Sequence, residues 1–161
     1  MNWIRDDRGS AMVLTLMLAP LLLVALAGVL QLGALRVAGA RVRAAADLAT
    51  LVAVNDQDDA ELARSGALRL SSDAALVARE YFARELALSA PLLNGPADEI
   101  AAAADIVAYP SAPAYDMRTG ARYDRPTVRV AVDVPVRTPV FGALLLRPVT
   151  ILHVLAVSSP R

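Results

Sequence analysis

Residues 9–35 form a run of about 27 positions without one charge, GSAMVLTLMLAPLLLVALAGVLQLGAL, against the roughly 20 apolar residues that a helix needs to cross a bilayer core. This pattern predicts a transmembrane helix over 10–35, preceded by a short polar leader over 1–9. Pro20 sits inside it, where it costs one backbone hydrogen bond; membrane spans tolerate such prolines. Gln31 is the only amide of the run and lies near its far end.

The helical pattern continues past the charge-free run. No proline occurs from Arg36 to Val54, and alanine, the best helix former, dominates. Leu35, Ala38, Val42, Ala45, Ala49 and Val52 recur at spacings of 3 and 4, a narrow seam of small apolar side chains suited to close helix packing. A helix from Ser10 to Val54 spans on the order of 65–70 Å and protrudes beyond a bilayer. Arg36, Arg41 and Arg43 stand where they reach lipid headgroups, and Asp47 follows Arg43 at ion-pair spacing.

Asn55 to Asp59 breaks the periodicity. A second helix is predicted over 72–89, capped by Ser71 or Ser72 with Asp73 in its first turn. Ala75, Ala78, Phe82 and Leu86 form its apolar face, and Pro91 with Asn94-Gly95-Pro96 ends it. The remainder has the texture of short strands and loops, with 149–157 more uniformly apolar than the others. Strands are predicted at about 104–109, 127–136 and 149–157, and Ala114–Arg118 and Ala121–Asp124 flank Thr119-Gly120 as a hairpin. In 127–136 the valines 128, 130, 132, 134 and 136 occupy one face, the pattern of a half-buried antiparallel strand. Pro135 predicts the end of that strand or a sheet edge. Val140, Phe141, Leu144 and Leu145 are expected to tuck under the sheet. The fold class is α+β, with a folded domain over 36–161 after the span, its first helix over 36–54.

Composition narrows the function. The chain has 161 residues, 57% hydrophobic, with mean hydropathy +0.48. Sixteen basic and sixteen acidic residues balance, so no field toward nucleic acid is expected. Every basic residue is arginine, as a GC-rich genome produces. The absence of cysteine removes disulfides, thiolate sites and lipoprotein anchoring. His153 is the single histidine, set in an apolar strand without a metal-site partner, and is expected packed or at an edge. Asn55–Glu61 begins like a calcium loop but places Ala60 at an acidic position and Glu61 at the glycine; a solvated turn is expected. Ser10, Ser71 and Ser72 have no plausible base nearby. No GxSxG, P-loop or GxGxxG occurs, and neither an enzyme nor any cofactor or metal is expected.

The leader and the long helix resemble a known group. Arg8-Gly9-Ser10-Ala11-Met12-Val13-Leu14, the apolar run with Pro20, and Arg43-Ala44-Ala45-Ala46-Asp47-Leu48-Ala49 together resemble the TadE/TadG-like minor pilins (pseudopilins) of the tight-adherence (Flp) pilus system. Ala78-Arg79-Glu80-Tyr81-Phe82-Ala83 and the closing valine-rich strands suit that group in texture. The resemblance implies a pilin-like fold and an accessory role in pilus assembly, initiation or anchoring, through helix packing. Its implied partners are other pilin or pseudopilin subunits, pilus-assembly membrane proteins and the lipid bilayer. It also implies a prepilin-peptidase cut after Gly9 that leaves Ser10 first. Pilins and TadE-like relatives carry glutamate five residues after the cut; here Leu14 stands there. Burying an unpaired charge among apolar helices is costly, so Leu14 points to a tip, initiating or membrane-retained subunit.

Two matters stay open at this level. Arg5 and Arg8 flank one end of the span, and Arg36, Arg41 and Arg43 the other. Charge alone leans toward the C-terminus inside, whereas the resemblance implies the inner membrane with the N-terminus cytoplasmic and the domain outside. Ala25-Leu26-Ala27 before Gly28 is also a signal-peptidase-like site, which makes an exported soluble periplasmic binding or structural domain the alternative. A membrane-tethered enzyme lacks any catalytic constellation.

Overall fold

The computed structural model describes residues 7–143 and 148–160, with side chains from Met12 onward. One helix dominates it. α1 runs from Asp7 to Asn55 without interruption, Pro20 included, a rod of roughly 73 Å at 1.5 Å per residue. The folded domain is built on its second half as an α+β arrangement. Two short helices, α2 (Asp59–Ser65) and α4 (Ala97–Ala103), accompany the longer α3 (Ala74–Ala87), which a 3-10 turn at Ala90–Leu92 follows. The strands are β1 (Asp105–Tyr109), β2 (Ala114–Tyr115), β3 (Arg122–Tyr123), β4 (Thr127–Arg137) and β5 (Val149–Ser158), with the short α5 (Pro139–Ala143) between the last two.

The main sheet is antiparallel in the order β1-β4-β5. Its register sets Asp105 opposite Ala131 and Tyr109 opposite Thr127, then Val128 opposite Ser158 and Arg137 opposite Val149. α1 and α3 pack on each other and cover the valine face of this sheet. Val128, Val130, Val134 and Val136 meet Phe82 and Leu86 there, all fully buried. Ala46, Ala49, Ala53, Ala74 and Ala78 are also fully buried. A methyl is the largest side chain these helices have at those positions, and that lets the two axes lie close.

Several sequence expectations need correction. β4 is half-buried only from Asp133 onward; Thr127, Arg129 and Ala131, on the second face, are buried as well. The cause is the β2–β3 hairpin, which covers that face through Asp116. Pro135 lies two residues before the end of β4, on a locally open edge of the sheet. It pairs in register with Ile151, past Ala131 where the pairing with Asp105 of β1 ends, and its carbonyl accepts the Asn94 N–H at 2.8 Å. A residue without a donor is tolerated there because the neighbouring strand has already stopped. At α3 the capping residue is Asp73, whose own N–H donates to Ser71 Oγ at 3.2 Å; neither serine caps the helix, and Asp73 precedes the first turn. The hairpin strands shrink to two residues each, because Asp116 organises the intervening turn through side-chain bonds. Val140 and Phe141 lie against α1 and not under the sheet. Leu144 and Leu145 fall outside the described residues.

The core makes one direct prediction. Phe82→Ala removes the largest fully buried side chain at the α1–α3–sheet junction and should destabilise the domain by about 3–5 kcal/mol. Urea unfolding of the detergent-solubilised protein, followed by circular dichroism, measures the loss.

Candidate membrane stalk and its junction with the folded domain

α1 has two kinds of surface along its length. From Met12 to Leu30 its large apolar side chains are all exposed, on every side of the helix; the most apolar window has mean hydropathy 2.6 and none of it is buried. A helix apolar all round needs an apolar surrounding. The 19 residues from Met12 to Leu30, none of them buried, make ~28 Å, close to the ~30 Å of a bilayer core. One N-terminal helix is thus long and apolar enough to span a membrane. Gly9 and Ser10, the processing residues of the resemblance, lie in the first turns of α1. Leu14, at 66% exposure, faces outward with its neighbours.

Burial starts at Gln31, 1% exposed. Of the sequence-derived seam, Ala38, Val42, Ala45 and Ala49 are buried, Leu35 packs against the core from its rim, and Val52 is half-exposed. The true stripe also takes in Ala46, Thr50, Ala53 and Val54. These positions face the chain's own α3 and sheet. A neighbouring helix therefore finds contact surface on the exposed part of α1 and not on this seam.

The orientation of the domain along the rod follows from three contacts. Gln31 Oε1 accepts the N–H groups of Val140 and Phe141 at 3.0 and 3.3 Å. A Cβ on Gly39 would lie 3.9 Å from Leu152 Cδ1. Thr50 Oγ1 and Ser158 Oγ are 2.8 Å apart. β5 thus runs alongside α1 in the same direction, and the β4–β5 connection with α5 forms the end of the domain nearest the apolar stretch. Gln31 is the amide that the sequence singled out, but its partners lie 109 and 110 residues away, so no local signal announced them.

The second concentration of chemistry is a buried charge network. Arg129, with a side chain 3% exposed, has Nη2 3.0 Å from Asp105 Oδ2 and Nε 2.9 Å from Asp116 Oδ2. The Nε contact is an ion pair off the hydrogen-bond line, since Nε and Nη1 lack an aligned acceptor. Arg118 adds Nη1 at 2.6 Å from Asp105 Oδ2. Asp116 accepts the Arg118 N–H at 2.9 Å and the Thr119 hydroxyl at 2.7 Å. Burial pushes the Asp116 carboxyl up, but those bonds, the Tyr109 hydroxyl and the Arg129 charge outweigh it and hold it at about 2. Asp105 is held low chiefly by Arg118, against its partial burial. Burial raises the Tyr109 phenol. Two cations and two carboxylates balance here, and each is engaged by another. The arrangement pins the β2–β3 hairpin across β4 and leaves no group poised as base or nucleophile. The sequence reading missed it, because Arg129 sits among the polar alternates of a strand that reads as half-exposed.

The remaining candidates are surface features. His153 is exposed on the edge strand β5, with Nδ1 2.6 Å from Oδ1 of its cross-strand partner Asp133, the edge placement of the two that were expected. Asp58 caps α2 by accepting the Glu61 N–H at 3.0 Å, so the calcium-like run serves as a helix start. Among the described residues no group of three or more His, Asp or Glu side chains is placed to hold a metal. Arg43 and Asp47 pair at 3.3 Å in the open.

The network sets a pH dependence. The Asp116 carboxyl is lower in the fold than the ordinary 3.8, so its stabilisation is complete above about pH 4 and is lost as the pH falls through about 2. Arg129→Ala, which leaves Asp116 buried without its cation, should cost about 3–5 kcal/mol near neutral pH. Denaturation midpoints for the native and variant proteins should converge on acidification over that window.

Comparison with family models, with curated proteins and with solved structures returns no match for this chain, which leaves the stalk and its junction as the ground for a functional reading.

Proposed function

We propose that this protein is a membrane-anchored, non-enzymatic accessory subunit of a Flp/Tad-type pilus or a related secretion machine, a minor pilin or pseudopilin that acts in assembly, initiation or anchoring. The observation that carries the reading is the continuity of α1. Its exposed apolar part has the length of a bilayer core, and its distal part is the central core helix of an α+β domain. A subunit built this way is stored in the inner membrane and presents its domain on a rigid stalk. Its N-terminus is cytoplasmic, and the bilayer, other pilin-type subunits and assembly membrane proteins are its partners. The Arg8-Gly9-Ser10 start supports processing by a prepilin peptidase. Leu14 supports an accessory place over a repeating one, since the filament-packing carboxylate is missing.

Association with other subunits falls to the exposed residues of α1. In lipid, helices associate through small residues that let backbones approach. Gly28 and Gly33 have open space above them and offer such an approach.

One observation favours the exported-domain alternative. Burial begins only around Ala27 and Gln31, so a cut before Gly28 would leave the domain core whole. The intact mass and N-terminal sequence of the protein from its native cells separate the two. The pilin-type reading expects a membrane-bound protein starting at Ser10 or Met1, absent from sheared pili or far below the major subunit in them. A soluble periplasmic protein starting at Gly28, or stoichiometry equal to the major pilin along the filament, contradicts it.

A further inference from the structure

The geometry points to a second membrane contact: the α5 end of the domain is a foot seated in the headgroup–acyl boundary of a glycerophospholipid bilayer beside the span. This inference rests on the spanning reading above. Gln31 lies five residues before Arg36, the first charge beyond the run, or about 7–8 Å toward the membrane along the helix. α5 is tied to α1 at that level through the two N–H groups that Gln31 Oε1 accepts. Interfacial helices sit ~5–10 Å into the same boundary. The direction of β5 along α1 fixes this independently of Gln31, since the Gly39–Leu152 and Thr50–Ser158 contacts place the β4–β5 connection at the membrane-proximal end.

The chemistry of the foot fits lipid. Val140 and Phe141 are half-exposed, and nothing polar accompanies them in α5. Arg36, Arg41 and Arg137 are exposed just above it, at the height where guanidinium groups meet phosphates. The described ends of the connection are hydrogen-bonded. The Thr138 N–H donates to the Pro148 carbonyl at 3.0 Å and the Gly142 N–H to the Thr138 carbonyl at 2.6 Å. The Gln31 carbonyl oxygen is satisfied there by the two α5 N–H groups, whereas a lipid-facing one would be left unpaired at a cost; its Nε2 is buried without a hydrogen-bond partner. Two attachments, the span and the foot, hold the domain at one tilt and rotation relative to the bilayer.

The test uses the full chain in vesicles of phosphatidylcholine and phosphatidylglycerol, with Trp3→Phe as background so that one tryptophan reports. Phe141→Trp should emit blue-shifted and lose fluorescence most with lipids brominated high on the acyl chains. Leu21→Trp should be quenched most by deep bromines, and Tyr115→Trp, on the β2–β3 hairpin, by neither. Phe141→Trp behaving like Tyr115→Trp while Leu21→Trp is quenched overturns the foot and leaves the span standing. An unquenched Leu21→Trp overturns the span, and the foot with it. Val140→Cys bearing a nitroxide gives a second reading should the tryptophan perturb α5. Preferential relaxation by oxygen supports the foot, and relaxation by a soluble nickel complex equal to that at Tyr115→Cys overturns it.

Discussion

The structure depends on one helix that carries two kinds of surface, one apolar all round and one striped. From Met12 to Leu30, α1 is apolar on every side and nowhere buried. Above it the same rod is striped, with alanines and valines toward α3 and the sheet and arginines outward. No turn separates the regimes. Any tilt imposed on the lower half is therefore transmitted to the domain, and any force on the domain reaches the apolar half. A flexible linker would decouple the two; a continuous helix couples them.

The domain meets this constraint by wrapping the rod. Small side chains on α1 and α3 allow close approach, and the valine face of β4 closes the layer beneath them. The opposite face of β4 is held by electrostatics, with Arg129 buried between Asp105 and Asp116. In a chain without cysteine this network does what a disulfide often does in exported domains: it ties a short hairpin to the sheet. A buried ion pair is a weak source of net stability. Its value here is positional, since the β2 and β3 strands are too short to define a register alone.

Much of this was legible in the sequence. The long apolar helix is carried by the absence of charge, β4 by alternation and β5 by a nearly continuous apolar run, because all three are one-dimensional signals. The failures are of another kind. Val52 was read as a seam residue from spacing alone, but a straight helix drifts against a repeat of 3 and 4, and burial moved to Ala53 and Val54. The helices α2 and α4 are only seven residues each, too short to show periodicity. Arg129 read as a solvated strand position because the covering hairpin is distant in the chain, and Gln31 stood out without a partner for the same reason. Both residues are determined by contacts between segments, and those leave no local trace.

The central claim is that α1 crosses the bilayer up to about Gln31 and emerges as the core helix of the domain. The chain's lack of cysteine allows a direct test, a scan of single cysteines along α1 in native membranes with a water-soluble maleimide. Sites at Leu16, Leu21 and Leu26 should resist labelling until the membrane is dissolved, while sites at Arg36 and Arg43 react readily. Labelling at Leu21 as fast as at Arg43 in intact membranes would contradict the account.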